Sequence, residues 1–210
     1  MKEPSPSPYG FEALFADGFA IEIAPGGRVF FQAEEAETVY LIREGRIRVS
    51  LGSIDGRTFT LAEMGPGEIL GETALFDGGG RTANAVAVTK TRVVGRKKEE
   101  FLRAISARPE CALRIIMTLA RRLRETDRMI EELTFMSVKE RLRSLFYRMK
   151  GEGEEDLLAR ATHQEIAEMI GAVRESVSRA LAELRREILN RWGAYLPGAV
   201  RQAPLPLAGL

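Results

Sequence analysis

Residues 163–180 carry the pattern of two short helices joined by a tight turn, which strongly constrains the fold of this part of the chain. Thr162 is followed three residues later by Glu165, the spacing of a capping box that starts a helix. Gly171 stands where a helix end favours a left-handed residue. Between these signals, one apolar face of the first helix holds Ile166, Ala167 and Ile170.

The second helix has an apolar stripe of its own, which the first helix can cover. The stripe consists of Val177, Ala180, Leu181 and Leu184. Ala167 is small where the two helices would cross closely. The pattern is typical of a helix-turn-helix, whose second helix normally enters the major groove of DNA.

The opposite face of the second helix is polar and holds Arg174, Glu175, Ser178 and Arg179. Arginine can donate two hydrogen bonds to guanine, and glutamate can accept one from cytosine. Because DNA phosphates would repel a carboxylate, a glutamate between two arginines favours base reading over backbone binding. The alternative is a solvated helix face with an ion pair between Glu175 and Arg179.

Composition narrows the classes of protein to which this chain can belong. The net charge of the 210-residue chain is only +1, so any surface for nucleic acid must be local. The single cysteine, Cys111, excludes a disulfide within one chain. No apolar run approaches the roughly 20 residues of a membrane span. Residues 1–10 are rich in proline and serine, which predicts a mobile tail instead of a signal peptide. We therefore expect a cytoplasmic protein without a membrane partner.

Residues 19–96 are rich in short alternating apolar and polar runs separated by turns. Glycine marks the turns at Gly45, at Gly56 and at 65–67. Two further strand signals lie within 83–98. This spacing predicts a small antiparallel barrel or roll, followed by a short helix over 97–106.

Pro109 begins a long helical stretch that extends to about Met136. Its seam alternates steps of three and four residues, as in a coiled coil: Leu113, Ile116, Ala120, Leu123, Asp127, Ile130 and Thr134. Such a seam needs a partner helix, so we expect a homodimer formed through 109–136. The alternative is a helix that lies on its own domain.

The remaining segments complete the predicted organisation. Residues 138–149 form another amphipathic helix, 151–156 an acidic loop, and 193–210 a weak strand or coil candidate. The predicted divisions are a tail at 1–10, a β-roll at 11–108, the dimer helix at 109–136 and a DNA-binding domain at 137–210.

The segment 71–83 reads GETALFDGGGRTA and suggests a phosphate site. Backbone N–H groups of Gly71, Glu72 and Thr73 can surround one phosphate together with Arg81 and the hydroxyl of Thr82. Glu72 then fits as the acceptor for a ribose hydroxyl. The alternative is a glycine-rich turn with a solvated ion pair between Arg81 and Glu72.

Three motifs in this order resemble the bacterial cyclic AMP receptor protein family, which includes the fumarate–nitrate reductase regulators. The resemblance extends from about residue 11 to 192. It rests on the phosphate segment, on the dimer helix with its hinge (120–142), and on the helix-turn-helix (162–181). It implies an α+β fold with an N-terminal antiparallel β-roll, a long dimerisation helix and a winged-type helix-turn-helix.

The resemblance also implies roles for individual residues. Glu72 would bind the ribose hydroxyl of a cyclic nucleotide, and Arg81 and Thr82 its phosphate. Thr126 would face the adenine. Asp127 stands where cyclic AMP binders have a serine that reaches the ligand of the other subunit; its carboxylate can accept from an adenine amino group but adds negative charge near an anion.

For DNA, the resemblance assigns Arg174, Glu175 and Arg179 to the bases of a TGTGA-like half-site. Val173 replaces a serine that would cap the recognition helix. The other residues expected at the DNA are Thr162, His163, Gln164 and Ser178, with Thr162 and Gln164 contacting phosphate.

The resulting expectation is a homodimeric regulator that reads a palindrome in double-stranded DNA, activates transcription through RNA polymerase and responds to cyclic AMP. An effector-independent regulator of the same fold is an alternative, and a cyclic-nucleotide-binding regulatory subunit of an enzyme is another. We expect no enzyme activity, since spacing suggests no cysteine or serine partner for His163 and no Walker or dinucleotide loop is present. One cysteine and one histidine also argue against an iron–sulfur, haem or other metal site.

Overall fold

The computed structural model describes residues 10–152 and 161–192. The chain divides into two compact units, one ending at Glu125 and one beginning at Thr126. The predicted tail at 1–10, except Gly10, and the tail at 193–210 lie outside the described residues.

The first unit is built on two antiparallel sheets of four strands each. One sheet has the order β1-β8-β3-β6, with β1 at Phe19–Ile23, β8 at Thr91–Lys97, β3 at Thr38–Glu44 and β6 at Ile69–Leu70. The other has the order β2-β7-β4-β5, with β2 at Arg28–Phe30, β7 at Asn84–Ala87, β4 at Ile47–Gly52 and β5 at Thr58–Met64. All pairs are antiparallel, which confirms the predicted β-roll.

Strand β3 lies between two apolar layers, because successive side chains point to opposite faces of a sheet. Ile42 belongs to a core cluster shared by strands of both sheets, which includes Ile47 and Val93. Its neighbour Leu41 belongs to a second cluster, formed with the helices on the other face. This double burial explains the apolar run at 39–42 within β3.

Four helical elements contribute to the second layer. They are a 3-10 helix at Glu12–Phe15, α1 at Thr73–Asp77, α2 at Lys98–Ser106 and the N-terminal half of α3, which spans Pro109–Phe135. Phe15 and Phe101 pack with ring centroids 5.6 Å apart. From α3, Cys111 and Ile115 join the same cluster. The two predicted helices, 97–106 and 109–136, are thereby confirmed within one residue of their ends.

Among the residues that the structure describes, the second unit holds the end of α3 and three further helices: α4 at Val138–Glu152, α5 at His163–Ile170 and α6 at Arg174–Trp192. Their core contains Leu142, Phe146, Ala167, Val177 and Leu184. Helix α4 continues through Gly151 and Glu152, so the acidic loop predicted at 151–156 cannot begin before 153. The rest of that loop, and the wing implied by the resemblance, lie outside the described residues.

Candidate functional site

A small pocket opens beside the phosphate motif predicted at 71–83. Its volume is about 80 Å³. The polar residues around it are Glu72, Thr73, Arg81, Thr82 and Arg122, and the apolar ones include Phe30, Val49, Met64 and Leu70. Gly71 lines the pocket as well. The structure therefore brings together all five residues that the sequence assigns to this motif, which are Gly71, Glu72, Thr73, Arg81 and Thr82.

Gly71 is required by two local constraints. Its φ angle is +82°, which L side chains rarely adopt. A Cβ atom at this position would also lie 2.3 Å from Nη1 of Arg81. The absence of a side chain thus allows the arginine to reach the backbone of the turn.

Arg81 is buried, and backbone carbonyls bind its guanidinium. Nη1 donates to the carbonyl of Gly71 at 2.9 Å, and Nη2 donates to that of Thr38 at 2.6 Å. The ring of Phe30 lies 4.3 Å from the guanidinium carbon. Burial lowers the pKa of Arg81, because a low-dielectric setting disfavours the charged form. An anion bound beside Arg81 would offset that cost.

Glu72 is 1% exposed and is paired with an arginine that the sequence analysis missed. Nη1 of Arg122 on α3 donates to Oε1 of Glu72 at 2.6 Å, and Nη2 donates to the carbonyl of Ile69 at 2.8 Å. The solvated ion pair between Arg81 and Glu72, the alternative at the sequence level, is not formed. The sequence contains one indication of this role. Arg122 lies four residues after Thr118 and therefore continues the buried stripe of Cys111, Ile115 and Thr118 on α3.

Two polar atoms of this pocket have no hydrogen-bond partner among the described residues. They are Oε2 of Glu72 and Nε of Arg81. The first is an acceptor and the second a donor.

The other four predicted ligand residues are exposed. Thr73 begins α1 and Thr82 follows Arg81, and both line the pocket. Thr126 and Asp127 lie on α3 in the second unit, and their ligand roles stay predictions.

The helix-turn-helix has the local structure predicted from its sequence. The Thr162 side chain accepts from the backbone N–H of Glu165, and the Glu165 carboxylate accepts from that of Thr162, which forms the capping box. Gly171 ends α5 with a φ angle of +62°. Ala167 is fully buried, as expected for a close helix crossing.

The polar face of α6 exposes Arg174, Glu175 and Arg179 to solvent. Nη2 of Arg179 donates to Oγ of Ser176 at 3.3 Å. Within the described residues, no ion pair joins Glu175 to Arg179, in contrast to the alternative of a solvated paired face. The three side chains are therefore available to an external partner. Gln164 on α5 is exposed and donates to Glu168 at 3.0 Å.

His163 and Ser178 contact each other, which the spacing in the sequence did not suggest. Nδ1 of His163 lies 2.8 Å from Oγ of Ser178. The serine hydroxyl donates to the carbonyl of Arg174, so Nδ1 is left to act as the donor in this contact. This contact links α5 to α6.

The predicted seam of α3 is exposed along its whole length. Leu113, Ile116, Leu123 and Ile130 are 57–62% exposed. A different stripe of the helix, with Cys111, Ile115 and Thr118, is buried in the first unit. A helix that only lay on its own domain would account for the buried stripe and leave the apolar seam unexplained.

In the described part of the chain, no helix has both the length and the apolar character of a membrane span. In the same part, no group of three or more histidine, cysteine or acidic residues is arranged to hold a metal ion.

Comparisons with known proteins identify two domains in the chain. Residues 20–108 match the family model for the cyclic nucleotide-binding domain, and residues 140–193 match the Crp-like helix-turn-helix domain. The chain is 35% identical over 190 residues to the cyclic AMP receptor protein of Thermus thermophilus, covering 89% of this chain and 86% of that protein. It is 32% identical over 182 residues to the CRP-like cAMP-activated global transcriptional regulator of Mycobacterium tuberculosis, covering 84% and 81%.

Solved structures extend the likeness to the fold. The catabolite activator protein of Thermus thermophilus has a TM-score of 0.55 and 30% identity, covering 86% of this chain and 84% of that one. The c-di-GMP responsive global regulator of Xanthomonas campestris has a TM-score of 0.72 at 22% identity, covering 84% and 91%, which shows the shared fold alone. The chain belongs to the cyclic AMP receptor protein and fumarate–nitrate reductase regulator family of transcription factors, and its C-terminal helix-turn-helix is a DNA-binding domain.

Proposed function

We propose that the chain is a homodimeric, cyclic AMP-responsive regulator that reads a palindromic TGTGA-like site and activates transcription through RNA polymerase. Its DNA target places this activity in the cytoplasm. Cyclic AMP is proposed because relatives that cover most of the chain are named for it. The proposal includes the site residues assigned from the sequence and adds Arg122, which the structure pairs with Glu72.

The effector proposal is supported by the two buried polar atoms of the pocket that have no hydrogen-bond partner among the described residues. Nε of Arg81 is a free donor for an oxygen of the cyclic phosphate, and Oε2 of Glu72 is a free acceptor for a ribose hydroxyl. The cyclic phosphate carries the negative charge that would offset the burial of Arg81. Thr82, exposed at the rim of the pocket, can add its hydroxyl.

The dimer is proposed from the exposed seam of α3. Its residues follow coiled-coil spacing, and pairing with the same seam of a second chain would remove them from water. A twofold dimer brings two recognition helices to half-sites one helical turn apart, which is the geometry of a palindromic operator.

Base reading is proposed for the exposed trio on α6. Arg174 and Arg179 can each bind a guanine through O6 and N7, and Glu175 can accept from the amino group of cytosine. From the resemblance to the family, we propose that these contacts lie in a TGTGA-like half-site.

An effector-independent regulator of the same fold is a second candidate, and a specific observation favours it. Both terminal nitrogens of Arg81 are already bound by carbonyls, and Oε1 of Glu72 is bound by Arg122. The pocket, at about 80 Å³, is also smaller than common ligand sites, which measure roughly 300–1,000 Å³. The site is thus well packed without a ligand.

Titration calorimetry with the full chain separates the two candidates. The first predicts saturable binding of cyclic AMP and much weaker binding of linear 5′-AMP, whose second phosphate charge and open geometry do not match the pocket. Absence of cyclic AMP binding, with DNA binding intact, would favour the effector-independent regulator.

A further inference from the structure

The turn between α5 and α6 determines where α6, the helix proposed to read the bases, begins. On the α6 side of this turn, no side-chain cap is available from Val173. Val173 precedes α6, and its carbonyl accepts from the N–H groups of Ser176 and Val177. A valine side chain has no oxygen with which to cap the first N–H groups of that helix. The start of α6 therefore depends on contacts from elsewhere.

Arg141 on α4 supplies such a contact on the other side of the turn. Its Nη1 donates to the carbonyl of Ile170 at 2.6 Å and to that of Gly171 at 3.0 Å. These carbonyls end α5, where the helix dipole favours a cation. Burial lowers the pKa of Arg141, and the charge of Glu132 opposes that shift. The side chain is thus held partly out of water by the end of the helix.

Two other basic residues of α4 bind α6 away from the turn. Lys139 and Arg143 both contact the carboxylate of Glu187, at 2.9 and 2.6 Å. These ion pairs are solvent-exposed, and exposed pairs contribute little to stability. Arg143 lies on the same helix as Arg141 and makes a charged contact to the same domain without touching the turn, so it is a matched control.

We propose that Arg141 is a positioning residue for DNA reading: it fixes the turn at Ile170 and Gly171 and thereby sets the angle at which Arg174, Glu175 and Arg179 meet the bases. The inference rests on the proposed base-reading function. It assigns to Arg141 a role in discrimination between sequences, in addition to any role in folding.

The test measures the ratio of affinities for two duplexes, at a temperature where circular dichroism shows every variant folded. One duplex is the sequence that the wild-type chain selects from a random pool, and the other is its scrambled version. R141M removes the donors but keeps much of the side-chain volume, and should lower the ratio about tenfold through weaker specific binding. R141K keeps a donor and the charge, so its affinity ratio should lie between those of R141M and the wild type. R143M should leave the ratio unchanged.

A second substitution tests the mechanism directly. V173S restores a capping hydroxyl at the start of α6 and should raise the ratio in the R141M background. If R141M weakens binding to both duplexes equally, Arg141 has only a structural role and the inference is wrong. A wild-type chain that selects no sequence would instead overturn the base-reading function, and this inference with it.

Discussion

Arg122 of α3 and Glu72 of the phosphate motif form an ion pair in which the two nearest charged atoms are 2.6 Å apart, although the residues are separated by 50 positions. The Glu72 side chain is 2% exposed and that of Arg122 is 28% exposed. The contact joins α3 to the pocket beside the phosphate motif. Under the proposed function, a ligand hydroxyl that binds Glu72 would therefore act on a residue that is held by α3.

The first prediction concerns the stability of this pair. Arg122→Met leaves a buried carboxylate without its cation and should lower the free energy of unfolding by about 3 kcal/mol. The double variant with Glu72→Gln should lose clearly less than the sum of the two single losses. Urea denaturation followed by circular dichroism measures both quantities. Additive losses would show that the two side chains do not stabilise each other.

The second prediction concerns the effector. Arg81→Met should weaken cyclic AMP binding by about a hundredfold, since a charge-assisted contact to the phosphate is lost. Arg28→Met is the matched control, because Arg28 also lies over a phenylalanine ring, at 4.0 Å, but is exposed and outside the pocket. Calorimetry compares the variants under conditions where both are folded. Unaltered affinity in Arg81→Met would remove Arg81 from the phosphate site.

The third prediction concerns the dimer. Ile116→Glu and Leu123→Glu place charges on the exposed seam of α3 and should convert a dimer to a monomer at micromolar concentration without unfolding the chain. Sedimentation velocity measures the mass. Phe76→Glu changes an exposed apolar residue on α1, outside the seam, and should leave the dimer intact. Dimers that persist in both seam variants would exclude this seam as the interface.

The fourth prediction concerns base reading. Arg179→Ala should cost about 1–3 kcal/mol of binding free energy and relax specificity at one base pair. Arg186, also exposed and two turns further along α6, is the control, and Arg186→Ala should weaken binding slightly and equally for all sequences. Affinities for a set of single-base-pair variants of the site provide the measurement. Uniform weakening in Arg179→Ala would assign Arg179 to the DNA backbone.

The elements that sequence analysis predicted correctly are those encoded by neighbouring residues. The capping box of Thr162 and Glu165 and the left-handed Gly171 are short-range signals, so the bounds of α5 could be predicted closely. The turns at Gly45 and Gly56 are local in the same sense, with φ angles of +88° and +80°.

Contacts between distant residues could not be predicted in this way. The pairing of Arg122 with Glu72 depends on how α3 packs on the first sheet, and the contact of His163 with Ser178 depends on the crossing of two helices. Arg141 reaches the turn from a third helix. In each case the residue type was visible, but its partner is determined by tertiary packing.

The most direct test is an unbiased selection of bound DNA from a random pool, with the full chain, in the presence and absence of cyclic AMP. The proposed function predicts a palindrome of TGTGA-like half-sites whose centres are about one helical turn apart, enriched far more strongly when cyclic AMP is present. Recovery of no common sequence, or of a motif without twofold symmetry, would contradict the account. Equal enrichment of the same palindrome in both conditions would support sequence-specific DNA binding and refute its control by cyclic AMP.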